Sequence, residues 1–484
     1  MPTRSRWTLD IPQTTLPSFL FGSPTAELDN RRAQFIDADR PEKYYLTIAS
    51  LRLWAQRLAA GLVAAGLKNG EPVMVYSGNN LFFPVALIGV VMAGGIFTAA
   101  NPAYTAREVA FQLQNSGARF LICSDSALEV GLEGAKQANL PRERVYNLDD
   151  GYDTFDGKGK SIKGCKHWSA LMAPEPEARK FAWKTGKEHT QDTICLNYSS
   201  GTTGLPKGVE ITNQNYVSNA VQHMYLIELK PDYQKVKESL RWSCFLPMYH
   251  AMAQTIFCVG AVSKQVPVYI YRKFDFIGLL EGIQRFRITD LQLVPPIVVA
   301  MAKRPETKEY DLSSVTSVGS GAAPLGREIT LELEKLWPEG QVNLKQGYGM
   351  TEVTCSVLGW DPRKHCEDFS VGEPNANTAV KLVDPADGKT EVPDGERGEI
   401  WVQGPNGRKG YWKNEEATKE TITEDGWLRT GDIAYKDQNG HFFVVDRMKE
   451  LIKVKGMQVA PAELEAQLLE HPAVADVAVV GVTM

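Results

Sequence analysis

Apolar residues recur at helical spacing across residues 46–67, and the run ends near Gly66, which predicts an amphipathic helix. Residues 71–76 are a short apolar run of strand length, residues 107–116 return to helical spacing, and 119–124 are again strand-like. This alternation predicts βαβ units and a largely parallel sheet covered on both faces. Residues 81–100 carry no charge over twenty positions, enough in length to cross a bilayer. Pro84 and the Gly94-Gly95 pair interrupt the stretch, and no basic flank orients it. A buried helix followed by a strand is therefore expected, since α/β cores also make helices that are apolar all round.

Further on, residues 192–198 and 315–318 have the composition of short buried strands. Residues 149–190 are polar and lysine-rich, with Gly and Pro, and predict a loop-rich connection. Between 381 and 403 short strands are broken by Asp387-Gly388 and Pro393-Asp394-Gly395, the pattern of a small antiparallel β unit.

Composition narrows the class. A chain of 484 residues exceeds one core and predicts two or more domains. With 43% hydrophobic and 23% charged residues, it matches an ordinary globular protein. The net charge of −5 gives no footprint for nucleic acid or an anionic membrane. Seven scattered cysteines with no C-x-x-C pair argue for a reducing compartment and against a structural metal site. No apolar core follows the basic N-terminus, so no secretory signal is visible.

The densest chemistry lies at residues 198–210, Tyr-Ser-Ser-Gly-Thr-Thr-Gly-Leu-Pro-Lys-Gly-Val-Glu. Gly201 and Gly204 permit turns that aim successive N–H groups at one point. Ser199, Ser200, Thr202 and Thr203 add hydroxyl donors, and Lys207 adds a mobile positive charge. The set suits a polyphosphate. It is not a P-loop, because the lysine follows Leu-Pro and no Ser or Thr comes after it. The strand at 192–198 delivers this loop at a strand end, where ligands gather in α/β sheets.

Other chemistry-bearing stretches follow. In Pro247-Met-Tyr-His-Ala251, His250 taken alone is a hydrogen-bonded core histidine. In Gly319-Ser-Gly-Ala-Ala-Pro-Leu-Gly326, the small side chains of Gly321, Ala322 and Ala323 let a flat ring lie against the backbone. Gln346-Gly-Tyr-Gly-Met-Thr-Glu352 offers an aromatic face, two glycines, a hydroxyl and a carboxylate suited to Mg²⁺. Gly426-Trp-Leu-Arg-Thr-Gly-Asp432 ends in a carboxylate able to accept from a ribose diol. Asp446-Arg-Met-Lys-Glu-Leu-Ile-Lys-Val-Lys-Gly456, taken singly, is a solvated charged face.

In this order the motifs resemble the adenylate-forming superfamily of acyl-CoA synthetases, adenylation domains and firefly-type luciferases. The likeness runs from about residue 46 to 482, and the phosphate loop with Gly347-Tyr-Gly-Met-Thr-Glu352 is highly specific. Together with Leu451-Ile-Lys-Val-Lys-Gly-Met-Gln-Val-Ala-Pro461, the set is most similar to 4-coumarate-CoA ligases and their fungal relatives. The resemblance implies an α/β chain with a large N-terminal AMP-binding domain at 1–446. That domain would hold two βαβ-type sheets plus a small antiparallel β unit. A small α+β lid at 447–484 would follow, truncated here. ATP, Mg²⁺ and CoA are the implied cofactors and co-substrates, with a small-molecule carboxylic acid as partner.

The implied reaction has two steps. The acid attacks the α-phosphorus of ATP to give an acyl-adenylate and pyrophosphate, and CoA thiolate then displaces AMP. The resemblance implies that the 199–207 loop cradles the β- and γ-phosphates, Thr351 touches the α-phosphate and Glu352 binds Mg²⁺. Tyr348 would stack on adenine beside 321–323, with Gln346, Gly347 and Gly349 in the same motif, while Asp432 and Arg447 bind the ribose. Lys449 would be the lid's pivot, and Lys453 and Gln458 would serve the adenylate and thioester. His250 would sit by the acyl carboxylate, which reverses its reading as a core residue.

Two departures from the family stand out. After Glu352 the chain reads Val353-Thr354-Cys355-Ser356, where plant 4-coumarate ligases have an Ala-Gly-Pro-Val type of sequence. That leaves aryl, medium-chain fatty and polyketide-type acids all open. The family's small domain also continues past its third strand to a late lysine, whereas this sequence ends at Val477-Ala-Val-Val-Gly-Val-Thr-Met484. The 38 residues from Arg447 onward are then expected to pack poorly or lean on the large domain. Alternatives are a stand-alone adenylation enzyme that loads a carrier protein, and an ATP-binding protein with weak turnover. The chain is expected to be a monomer or weak homodimer without a membrane span. Its expected compartment is the cytoplasm, or the peroxisome if a continuation carries a targeting tripeptide.

Overall fold

The computed structural model describes residues 1–149, 152–199, 205–448, 452–454, 457–459, 461–469, 471, 474 and 477–482; for 453–454, 457–459, 462–463 and 466 it describes the backbone alone. The expected αβ alternation is present. The helix expected at 46–67 spans Ile48–Ala64. Leu46 belongs instead to the strand Tyr45–Thr47, and Thr47 starts the helix through a reciprocal capping box with Ser50. The helix Ala106–Ser116 starts the same way at Thr105 and Glu108, and ends on Gly117 at a φ of 76°. The uncharged stretch forms the helix Phe83–Met92, buried along all ten residues, and then the strand Ile96–Ala100. Among the described residues no helix is long and apolar enough to cross a membrane.

Among the described residues, three larger sheets organise the chain. One has eight strands in the order Gly410–Tyr411, Lys207–Thr212, Thr193–Ser199, Ile96–Ala100, Pro72–Tyr76, Phe120–Ser124, Val145–Leu148 and Lys166–His167. From Thr193–Ser199 to Lys166–His167 the pairing is parallel; Lys207–Thr212 and Gly410–Tyr411 add an antiparallel edge. The second has seven strands, in the order Lys345–Gln346, Ser317–Ser320, Asp290–Leu293, Trp242–Cys244, Val268–Ile270, Ala33–Asp37 and Tyr45–Thr47; all but the last pair are parallel. The third is antiparallel with five strands, Thr3–Arg4, Ala379–Val383, Gly398–Gln403, Leu428–Lys436 and Phe442–Arg447. It contains the small β unit expected at 381–403 and extends it on both sides. One apolar cluster runs through both α/β sheets, and a separate one fills the five-stranded sheet.

Two expectations need correcting. The strand expected at 315–318 is Ser317–Ser320, because Val315 is a buried anchor before the strand, with its N–H donating to Leu312 O. The segment 149–190 is more than a connection. It supplies the edge strand Lys166–His167, and it buries Trp168 and Trp183 in the main core. Trp168 Nε1 donates to Thr154 Oγ1 at 2.8 Å, and His167 lies 3.4 Å from Asp149. Its lysines face solvent and mask these anchors in the composition. Beyond Arg447, the paired strands Ile452–Val454 and Met457–Val459 and the helix Pro461–Leu468 follow.

Candidate active site

Parallel sheets present their ligand-binding loops at the carboxyl ends of their strands. Thr193–Ser199 ends where the glycine-rich loop begins, and Lys207 returns in register opposite Ser199. The intervening Ser200, Gly201, Thr202, Thr203 and Gly204 lie outside the described residues, as does Lys449. For Lys453 and Gln458 only the backbone is described, as partners in the register of the short strand pair. In the seven-stranded sheet, Ser317–Ser320 leads into 321–326 and Lys345–Gln346 into 347–352, so the two motifs leave neighbouring strand ends.

Glu352 joins these sheets. It lies in a short 3₁₀ turn, Thr351–Val353, and only 5% of its surface is exposed. Its Oε1 accepts from Ser199 Oγ at 3.0 Å and from Tyr411 OH at 2.9 Å. Arg408 Nη1 lies 3.6 Å from the same oxygen, outside hydrogen-bond range. The Arg408 guanidinium packs 3.5 Å from the centroid of the Tyr411 ring, and Lys207 Nζ lies 5.1 Å from that centroid. Burial, then the adjoining Glu352 charge, pushes the Tyr411 hydroxyl up to about 12. Among the described residues no hydrogen bond reaches Glu352 Oε2. Arg408, Tyr411 and Asn406 escaped the sequence reading. The signal for them was the small-residue stretch Gly404-Pro-Asn-Gly-Arg-Lys-Gly-Tyr411, which resembles a surface loop until its burial is seen.

The backbone after Glu352 is strained. Thr354 sits at φ 72° and ψ −53°, and Cys355 N donates to Val353 O at 2.8 Å, which closes a γ-turn of the rare positive-φ form. Thr354 is fully buried and β-branched, so the conformation has to be imposed from outside. Asn406 imposes it: its Nδ2 donates to Val353 O and Ser356 O, both at 3.0 Å, and its own carbonyl accepts from Thr354 Oγ1 at 2.8 Å. Ala322, at φ 75°, is a second strained non-glycine residue in a motif of this site.

A second cluster holds the nucleoside candidates. Tyr348 OH donates to Asp432 Oδ2 at 2.6 Å, and Arg447 Nε lies 3.7 Å from Asp432 Oδ1. Burial and then the Asp432 charge hold the Tyr348 hydroxyl well above its usual range. Asp432 and Arg447 are paired in register across Leu428–Lys436 and Phe442–Arg447. Gly349 is obligatory, since a Cβ there would fall 1.7 Å from Cys355 O. Gln346 is an internal strut; its amide accepts from Leu325 N and donates to Leu325 O and Phe369 O.

His250 is not a satisfied core histidine. It keeps open surface beside the Tyr249 ring, 4.6 Å away, and among the described residues its ring makes no hydrogen bond. Desolvation by the surrounding protein holds its pKa below the usual 6.5, so the imidazole is neutral at pH 7. The helix it begins continues into a π-helical segment, Gln254–Gly260, a rare geometry often found at functional sites. Met252 on that element reaches within 3.8 Å of where a Gly321 Cβ would stand, which ties His250 to the 321–323 turn. A cavity of about 270 Å³ between Thr15, Trp183, His189, Thr193 and Trp412 lies at the amino ends of the strands, away from this chemistry.

Comparison with known proteins supplies the family. The family profile described as "AMP-binding enzyme" matches residues 25–412. The chain belongs to the AMP-binding enzyme family. It is 37% identical over 446 residues to 4-coumarate-CoA ligase 1 of Narcissus pseudonarcissus, covering 90% of this chain and 77% of that protein. It is 34% identical to the peroxisomal OPC-8:0-CoA ligase 1 of Arabidopsis thaliana, over 93% of this chain and 78% of that one. Among solved structures, ATP-bound MatB from Rhodopseudomonas palustris is similar at a TM-score of 0.78 and 27% identity, covering 97% of this chain and 85% of that one. The anthranilate CoA ligase AuaEII shares the fold at a TM-score of 0.84 and 22% identity, covering 98% and 86%. This AMP-binding enzyme is thus an adenylate-forming acid–thiol ligase of the acyl-CoA synthetase type, with ATP, CoA and a small-molecule acid as substrates.

Proposed function

We propose that this ligase converts an aryl, medium-chain fatty or polyketide-type acid into an acyl-adenylate at the junction of its three sheets, and passes the acyl group to CoA. The observation that carries the reading is the convergence of Ser199 and Tyr411 on Glu352, with Lys207 over the Tyr411 ring, where the glycine-rich loop begins. Residues 1–446 form the AMP-binding body in this proposal, and 447–484 begin the lid.

In-line attack of the carboxylate on the α-phosphorus spreads charge over phosphate oxygens, and positioned cations and N–H donors lower that barrier. Lys207 with the 199–204 loop holds the β- and γ-phosphates, and Thr351 the α-phosphate. Tyr348 and the 321–323 turn bracket adenine, while Asp432 and Arg447 take the ribose hydroxyls. His250, neutral at pH 7, donates to the acyl carboxylate without an ion pair that would blunt its nucleophilicity. Lys449, Lys453 and Gln458 act from the lid in the thioester step. A buried carboxylate with one oxygen unshared among the described residues, beside a hydroxyl, fits Mg²⁺, which takes few protein oxygens and completes its shell with phosphates and water. Bound at Glu352, the ion would neutralise phosphate charge.

The names of the relatives, 4-coumarate and OPC-8:0, support an acid with a substantial apolar body. The test is exchange of labelled pyrophosphate into ATP across a panel of aryl and fatty acids, followed by chromatography of the CoA thioester. Exchange and thioester with one acid class are expected. Thioester only on the phosphopantetheine arm of a carrier protein would replace CoA in the proposal, and ATP binding with no exchange for any acid would overturn it.

A further inference from the structure

Arg408 is a buried cation that the proposed reaction does not use. Its side chain is 1% exposed, yet among the described residues neither Nε nor Nη1 has a hydrogen-bond partner. Its Nη2 donates to Thr421 Oγ1, and its backbone N–H donates to Glu352 O at 3.0 Å. A buried guanidinium with two N–H positions unmet is costly, so its retention calls for a physical account. The aromatic face of Tyr411 stabilises the cation without occupying those donors. Nη1 stands 3.6 Å from Glu352 Oε1. That is too long for a hydrogen bond, and near enough for strong attraction away from water.

Two positive charges therefore compete for one carboxylate: the guanidinium that is present and the divalent cation that Glu352 is proposed to bind. Ser199 Oγ and Tyr411 OH are neutral and already donate to Oε1, so they add no negative charge for a metal. With Arg408 beside it, the carboxylate alone is a weak divalent site. The site becomes strong only when phosphate oxygens enter with the ion. We propose that Arg408 is a positioning residue that competes with the divalent cation for Glu352, so that the cation is held only together with the phosphates of ATP. Nη1, 3.6 Å from Oε1 and without a partner among the described residues, is the donor through which the guanidinium attracts the carboxylate. This inference rests on Glu352 being the metal ligand.

The experiment follows free Mn²⁺ by electron paramagnetic resonance during titration of the full-length chain, with and without ATP. Arg408→Met keeps the length and apolar stem and removes the charge. It should bind Mn²⁺ without nucleotide about tenfold more tightly than the wild type or better. The factor by which ATP strengthens Mn²⁺ binding should shrink correspondingly. Arg408→Lys, which keeps the charge, should stay near the wild type. The gain should vanish in the Glu352→Gln/Arg408→Met double variant. If circular dichroism shows Arg408→Met to be unfolded, Arg408→Gln, which still reaches Thr421, carries the same expectation. No tightening in the folded neutral variant would overturn the competition. If Glu352→Gln still weakened Mn²⁺–ATP binding, the ligand assignment would survive that result. Metal binding unchanged in Glu352→Gln would instead remove the assignment itself.

Discussion

Thr354 is held at φ 72° two positions past Glu352, and the side chain that holds it there comes from residue 406. Truncating Asn406 to Ala takes one donor from each of the carbonyls of Val353 and Ser356, which keep Cys355 N and Asn219 Nδ2 respectively. At about 1 kcal/mol net for each hydrogen bond lost, a loss of about 2 kcal/mol is expected, read as a lower midpoint in urea. Because the γ-turn relaxes beside Glu352, pyrophosphate exchange should fall more than the stability loss explains, and saturating substrate should not restore it. An unchanged turnover in the folded variant would show that the turn is not tied to catalysis. A second residue prediction concerns pH. His223, half-buried with its Nε2 enclosed, has its pKa pushed down to about 4 by desolvation, with the Asp290 charge opposing, and Asp290 is itself paired with Lys230 at 2.8 Å. Between pH 6.5 and 4 the unfolded chain takes up a proton that the native state refuses, so stability falls as pH falls through that window. The total is at most about 3 kcal/mol. His223→Gln should flatten that part of the stability–pH curve, and an unaltered slope would place the acid sensitivity elsewhere. Neither residue announced itself in the sequence. Glu352 stood out as a candidate because its motif gathers a carboxylate with a hydroxyl and glycines, whereas Asn406 acts through a contact 53 positions away.

At the scale of elements, periodicity located the helices and strands of the parallel sheet to within a few residues, because local spacing and capping residues carry that information. The polar segment 149–190 is loop-rich as expected, with elements of at most five residues, but its core anchors escaped for the complementary reason: they are far from each other and its surface is charged. The anchor segment explains an otherwise odd glycine. A Cβ on Gly61, within Ile48–Ala64, would stand 1.7 Å from Leu171 O. The helix is pressed onto that backbone, with Ala173 N donating to Arg57 O at 3.0 Å and Arg57 Nε donating to Ala173 O at 3.0 Å. Gly61→Ala gains about 1 kcal/mol in helix propensity and should nonetheless destabilise the protein. Forcing the two backbones apart costs about 3 kcal/mol in overpacking terms, and lost Arg57 bonds add to it. A lower melting temperature is expected. A rise would mean that the segment yields, and that its burial of Trp168 and Trp183 contributes little.

Across the whole molecule, three sheets of different connectivity lend groups to one place, and no single segment of sequence shows that meeting. Family motifs made the site legible without it; Arg408 and Tyr411, which lie on the far side of the junction, became visible only once the sheets were assembled. The residues beyond Arg447 were expected to pack poorly or lean on the large domain, and one contact with it is specific. Lys303, the last residue of the helix Pro295–Lys303, aims Nζ at three carbonyls after Pro461–Leu468: Leu469 O at 2.6 Å, His471 O at 3.2 Å and Val474 O at 2.9 Å. An ammonium that gathers three backbone carbonyls of the segment after the helix ties that segment to Pro295–Lys303. Charge-assisted bonds are worth about 1.5–3 kcal/mol each when well buried, and partial exposure here brings the set toward the low end of one such bond. Lys303→Met should therefore speed amide hydrogen exchange in Pro461–Leu468 about tenfold, the equivalent of about 1.4 kcal/mol of local opening. Amides in Pro295–Lys303 and in the parallel strands should keep their protection, because the lost contact lies outside their cores. Loss of protection throughout the chain would make Lys303 part of the global core, and no change in the helix would show that the segment is held by its apolar face alone.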